Sequence, residues 1–251
     1  MSGTRSPFPK APATDRRTDM VLVSHGQPSD PAPAEQELAA LAAEVAALLP
    51  GHRVLSATLA APGTLEAVLE TCAGVPLVYP VFMTDGWFTQ ARLPERIGAR
   101  AARLLAPLGR EAGLPRLARD HLAGVLEAKG WEAAETTLLI AAHGSGRSRK
   151  SAEATHAFAE ALGQLAGFRD IRAGFIEEPP YIGDLAFEVP PQSICLPFFA
   201  ASGEHVTDDV PEALDLAGFQ GPRLAPLGTL SGIAALIAER LGTELSERST
   251  T

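Results

Sequence analysis

Short apolar runs alternate along the chain with stretches whose apolar residues recur every three or four positions. The runs are Met20 to Ser24, Val54 to Leu59, Pro76 to Met83, Thr137 to Ala142, Ile171 to Ile176 and Ser193 to Ala200. Near-continuous apolar runs of this length are the pattern of strands covered on both faces. Between them, Ala34 to Leu49 reads as a helix stopped by Pro50-Gly51, and Ser148 to Leu165 sets Ala154, Phe158, Ala161, Leu162 and Leu165 on one helical face. Strand and helix in alternation with short crossovers predict an α/β fold with parallel sheets.

The pattern also repeats. VLVSHG at 21 to 26 matches LIAAHG at 139 to 144, which puts His25 and His143 118 residues apart. TLAAPGTLEAV from Thr58 aligns with FIEEPPYIGDL from Phe175, and YPVFMTDGWFTQARLP from Tyr79 with LPFFAASGEHVTDDVP from Leu196, both at an offset of 117. Ala106-Pro107-Leu108-Gly109 recurs as Ala225 to Gly228. Landmarks in the same order at a nearly constant offset predict two tandem Rossmann-like lobes, residues 19–130 and 131–243, joined through Leu114 to Lys129 and the turn Gly130-Trp131. Residues 1–18 and 244–251 read as disordered tails.

Composition narrows the function. With 251 residues, 46% apolar and 20% charged, the chain has the usage of an ordinary globular protein with a sizeable core. No window reaches the roughly 18 uninterrupted apolar residues of a membrane span, and the start lacks the apolar core of a secretory signal, so a cytoplasmic location is expected. A formal net charge of −9 argues against nucleic acid as a partner. The two cysteines, Cys72 and Cys195, form no CxxC pair and are expected as buried free thiols.

The two copies carry different chemistry. In the second, the strand ends bear His143, then Glu177 and Glu178, then Glu204 and His205, with Asp208 and Asp209 beyond. The aligned residues of the first are His25, Ala60 and Ala61, Trp87 and Phe88, then Ala91 and Arg92. Ligands of open α/β sheets bind outside the carboxyl ends of the strands, where all these residues fall. His143, His205 and Glu177 form a set of imidazoles and carboxylate suited to Co²⁺, Fe²⁺, Ni²⁺ or Zn²⁺ and unsuited to Mg²⁺ or Ca²⁺. His52, His121 and His156 read as ordinary surface or turn histidines.

At LLIAAHGSGRSRKSAEA (138 to 154), FIEEPP (175 to 180) and CLPFFAASGEHVTDDVPEAL (195 to 214) the sequence resembles the class II tetrapyrrole metal chelatases: sirohydrochlorin cobaltochelatases and ferrochelatases of the CbiX/SirB type, and more distantly protoporphyrin ferrochelatase. The resemblance spans roughly residues 18 to 242. It implies two Rossmann-like lobes with a cleft between them, inserting a divalent metal, Co²⁺ or Fe²⁺, into sirohydrochlorin or a related macrocycle of cobalamin or siroheme biosynthesis without a nucleotide cofactor. By position, His143 and His205 look like the metal-handling histidines and Glu177 like their acidic partner. Many two-lobed proteins of the CbiX type keep their histidines in the first lobe, whereas here the second lobe is intact.

Insertion of M²⁺ releases two pyrrole protons, so the site needs a ligand that holds and surrenders a metal and a base working near neutral pH; histidine serves for both. Trp87, Phe88 and Phe82 are expected to wall a flat macrocycle. His25 is expected to touch substrate, and Arg147 and Arg149, with Lys150, to meet its carboxylates. The expected partner is the tetrapyrrole, with no membrane or nucleic acid, and the chain acting as monomer or homodimer. Two other readings stand beside this one: a non-catalytic metal or tetrapyrrole binder, and a phosphoryl-transfer enzyme. SHGQP at 24 to 28 is similar to the RHG motif of phosphoglycerate-mutase-like phosphatases, but Ser24 stands where that motif has arginine.

Overall fold

Eight helices and seven strands, among residues 17–249 described by the computed structural model, follow the expected alternation. The tail expected at 1–18 falls almost wholly outside the described residues. The first half runs β1 (Asp19–Ser24), α1 (Pro31–Leu48), β2 (Arg53–Thr58), α2 (Thr64–Thr71), β3 (Leu77–Pro80), α3 (Leu93–Ile97), β4 (Arg103–Leu104) and α4 (Leu114–Lys129). The second runs β5 (Thr137–Ala142), α5 (Lys150–Ala166), β6 (Asp170–Phe175), α6 (Ile182–Glu188), β7 (Ser193–Pro197), α7 (Val210–Leu216) and α8 (Ile233–Ser249). Both sheets are parallel, in the orders β2-β1-β3-β4 and β6-β5-β7. A single bridge from Cys195 to Arg223 stands where β4 stands in the first sheet.

Strand alternation divides the core into three layers. Met20 and Leu22 of β1, with Leu138, Ile140 and Ala142 of β5, point into one central cluster that also takes the apolar faces of α1, α4, α5 and α8. Their neighbours point outward: Val21 and Val23 under α2 and α3, Leu139 and Ala141 under α6 and α7. Both faces of each sheet are thus buried, which is why the strands read as unbroken apolar runs. Each fully buried Leu or Ile contributes about 1.5–3 kcal/mol relative to exposure.

β3 and β7 stop short of the predicted runs. Val81 and Phe198 still donate to Val23 and Ala141 of the neighbouring strands, at 2.7 Å each, but the next residues leave the ladder. The apolar character of Phe82, Met83, Phe199 and Ala200 belongs to loops that line a cleft.

The stretch Leu114 to Lys129 does more than join the halves. Its buried stripe Leu114, Ala118, Leu122 and Leu126 packs α4 against α5 of the second half, and α8 packs reciprocally against α1 of the first. The contacts between the two ends mirror each other: a methyl placed on Gly113 would lie 2.6 Å from Leu236, and one on Gly232 would lie 3.1 Å from Leu117. The repeated Ala-Pro-Leu-Gly has a steric origin, since a Cβ on Gly109 or Gly228 would collide with the backbone carbonyl of Met83 or Ala200.

Residues 244–249, expected as tail, continue α8. Glu244 is buried there with Arg240 at 2.6 Å and Arg103 of β4 in contact, so the carboxylate is compensated and ties the last helix to the first sheet. Cys195 is buried as expected, and burial pushes its thiol up to about 12; Cys72 is only partly buried. Among the described residues no helix is long and apolar enough to cross a membrane.

Candidate functional site

β5 ends at Ala142 and turns through His143 and Gly144. Gly144 has φ +74°, and a Cβ on it would lie 2.8 Å from Phe175 Cβ and 2.9 Å from Glu178 Cγ, so conformation and space both require glycine. The carbonyl of His143 accepts the backbone N–H of Glu177 at 2.9 Å, which locks the exit of β6 to the exit of β5. Glu178 Oε1 accepts the Ser145 N–H at 2.8 Å and holds the loop, leaving Glu177 with its Oε1 3.9 Å from His143 Nε2.

His205 comes from the exit of β7, at the start of a π-helical turn, His205–Asp209, that runs directly into α7. The wider turn is a recurrent device at functional sites. It sets Asp209 Oδ2 2.5 Å from His205 Nδ1. His143 Nδ1 lies 2.9 Å from the Gly144 carbonyl oxygen. An oxygen acceptor at each Nδ1 assigns the proton there, so both Nε2 atoms present lone pairs. Those two atoms face each other at 2.9 Å, with ring planes at 87°. Two lone pairs at that distance repel unless a cation, either a proton or a metal, sits on them.

The first half repeats this corner with one imidazole. His25 Nδ1 lies 2.7 Å from the Gly26 carbonyl oxygen, Gly26 has φ +73°, and the His25 carbonyl accepts the Ala60 N–H at 2.8 Å. Phe88 begins its own π-helical turn, Phe88–Arg92, and meets His25 edge-on at 4.4 Å between centroids, against 4.3 Å for His143 and His205. Phe88 and Ala60 therefore stand where the second half has His205 and Glu177. Arg92, in the place of Asp209, pairs with Glu95 at 2.9 Å.

Both corners open on one cleft of about 710 Å³. Phe82 stacks on Phe88 at 6.0 Å, and Trp87 stands edge-on to Phe88 at 5.0 Å while 62% exposed, which makes it a wall residue and not core. Phe198 and Phe199 line the opposite side. Arg147 and Arg149 are not on the wall of this cleft: Arg147 lines an adjoining hollow with Ser145, Gly146 and Glu177, and Lys150, the first residue of α5, reaches the cleft and contacts Gln90 of the first half. Glu37 and Glu44 of α1 also line it. These two gave no signal in the sequence, because nothing in one half shows which helix face meets the other half. Ser29 with Glu204, at 3.2 Å, and Glu37 with the Ser202 N–H, at 3.3 Å, bridge another part of the rim. Away from the cleft, His52 accepts from the Thr18 N–H and His156 packs on Phe175.

Among the described residues no group of three or more His, Cys, Asp and Glu side chains encloses a metal position. The site is an open pair of imidazoles with the Glu177 carboxylate 3.9 Å from one of them, a donor set of the kind that suits borderline divalent cations.

The CbiX family model matches residues 137–244, the half that holds the histidine pair. The chain is similar over 90% of its length to the structure of CbiX, the terminal enzyme for biosynthesis of siroheme in denitrifying bacteria: 47% identity, TM-score 0.82, 99% of that chain covered. SirB from Bacillus subtilis subspecies spizizenii in complex with cobalt shares the fold at 16% identity and TM-score 0.70, over 92% of this chain and 96% of that one. A probable sirohydrochlorin cobaltochelatase of Halobacterium salinarum is 29% identical over 76 residues, 30% of this chain, and the match spans about a quarter (26%) of that relative's length. Since the likeness to CbiX at 47% identity covers 90% of this chain and the family model spans the half that carries His143 and His205, the chain belongs to the CbiX family of tetrapyrrole chelatases.

Proposed function

We propose that the chain inserts a divalent metal, Co²⁺ or Fe²⁺, into sirohydrochlorin or a related tetrapyrrole, with the metal as substrate and no nucleotide cofactor taking part. The observation that carries the reading is the pair of Nε2 atoms 2.9 Å apart at the wall of an apolar cleft. Ligand bonds of about 2 Å meeting at roughly a right angle span that distance, so His143 and His205 can hold one ion by adjacent coordination positions. Imidazole favours Co²⁺ and Fe²⁺ over the hard cations.

In this reading the lobes 19–130 and 131–243 divide the work. The second lobe presents the metal through His143 and His205, with Asp209 orienting the latter and Glu177 close enough to complete the shell. Two imidazoles leave the rest of the shell to water, which keeps the ion exchangeable toward four converging macrocycle nitrogens. The first lobe supplies Trp87, Phe88 and Phe82 as a flat apolar wall. Lys150 takes over the pairing with substrate carboxylates expected of Arg147 and Arg149.

Anaerobic incubation of the chain with sirohydrochlorin and Co²⁺ or Fe²⁺, followed by the Soret shift, tests the proposal. Metallation well above a no-enzyme control is expected, with repeated turnover. Stoichiometric binding without turnover would favour a non-catalytic carrier.

A further inference from the structure

His25 keeps everything that shapes His143 as a donor except a second imidazole. Its Nδ1 is occupied by the Gly26 carbonyl, and its glycine turn and its backbone tie to Ala60 repeat those of His143, Gly144 and Glu177. Its Nε2 has no hydrogen-bond partner among the described residues, and the ring lines the same cleft as the metal-holding pair. Phe88, Ala60 and Arg92 replace the ligand, the carboxylate and the orienting acid of the other corner. A metal ion meeting one imidazole beside a phenyl ring gains little, whereas a proton needs only the one lone pair. The changes that remove the other ligands therefore leave the Nε2 lone pair in place.

We propose that His25 is the proton acceptor of the reaction, working from the first-lobe wall of the cleft while His143 and His205 present the metal from the second; the inference rests on the chelatase reading. Each of the two macrocycle N–H bonds breaks in turn, its electron pair staying on nitrogen. The proton passes to His25 Nε2, and the resulting imidazolium returns it to water at the open cleft. In sum M²⁺ and the free-base macrocycle give the metallated macrocycle and two protons, with no oxidant or reductant. The other ionisable groups lining the cleft have other engagements or liabilities. Glu37 accepts from Ser202, and Lys150 is held by Gln90. Glu44 is exposed to solvent, and a carboxylate is a weaker base than an imidazole near neutral pH. The His25 ring stands against Phe88 with its Nε2 lone pair free to take a proton.

The test compares wild type, His25→Ala and His25→Gln in anaerobic Co²⁺ insertion into sirohydrochlorin, with Co²⁺ binding to each chain titrated separately and folding checked by circular dichroism. Both variants are expected to lose about 100-fold or more in kcat, as for removal of a general base. They should keep Co²⁺ affinity and KM within about twofold, so the loss falls on the chemical step. Added imidazole should restore part of the activity of His25→Ala and leave wild type unchanged. Glutamine, which can still donate to the Gly26 carbonyl but takes up no proton, should be as slow as alanine. Equal turnover in wild type and His25→Ala, recovery by His25→Gln, or loss of Co²⁺ binding in either variant would overturn the inference while leaving the chelatase reading in place. Absence of metallation by wild type would overturn both.

Discussion

Asp209 and the Gly144 carbonyl hold the two cleft imidazoles by different means, one a carboxylate at 2.5 Å and the other a backbone oxygen at 2.9 Å. Removing the carboxylate frees the His205 ring to rotate and to exchange tautomers. Asp209→Ala is therefore expected to weaken Co²⁺ binding by about 10- to 100-fold, read by calorimetric titration, with the fold intact. Gly144→Ala is a harsher change, because the new Cβ meets Phe175 and Glu178 in a left-handed turn. It should lower the thermal midpoint and displace His143. Much of this corner was legible in the sequence: His143, His205 and Glu177 all follow apolar runs, and one aligned copy lacks two of the three. That His143 and His205 share one corner was legible as well; their 2.9 Å contact was not, because it depends on a π-helical turn at residue 205 that apolar periodicity does not encode. Nor was the absence of Arg147 and Arg149 from the cleft, which is set by how the loop before α5 leaves the strand.

Elements show the same division. The six strands longer than two residues were legible because both faces of each sheet are buried; β4, two residues at a sheet edge, leaves no pattern. α4 had the right bounds and the right place between the halves, but its packing on α5 was not legible, since a stripe that packs on the other half looks like any amphipathic stripe. Outside the site, α2 and α3 are joined by Glu66 and Arg96, with the guanidinium on both carboxylate oxygens, one contact at 2.7 Å. The hydrogen bonds from Arg96 hold the Glu66 carboxyl below its ordinary range. A depressed carboxyl adds stability above its unfolded pKa of about 4.3 and loses it as pH falls through the folded value. Glu66→Gln should thus cost about 1 kcal/mol in denaturant unfolding at pH 7, a figure reduced for partial exposure, and the gap to wild type should close well below about pH 4.

At the scale of the molecule, one duplicated unit has kept a glycine turn, a strand-end histidine and a π-helical turn in both halves while a second imidazole survives in only one. If the first corner lacks metal affinity only for want of its ligands, Phe88→His with Arg92→Asp should rebuild them, and that double variant is expected to bind a second equivalent of Co²⁺. The mirrored contacts of Gly113 with Leu236 and Gly232 with Leu117 keep the halves in register, so the cleft walls should stay opposed in such variants. On the proposed reading the metal is held by His143 and His205 of the second half. Anaerobic titration with Co²⁺, followed by the visible bands that report nitrogen ligation, tests it most directly on wild type, His205→Ala and His25→Ala. One equivalent is expected in wild type and in His25→Ala, and none held tightly in His205→Ala. Binding that survives His205→Ala and is lost in His25→Ala would contradict it and move the metal to the first half.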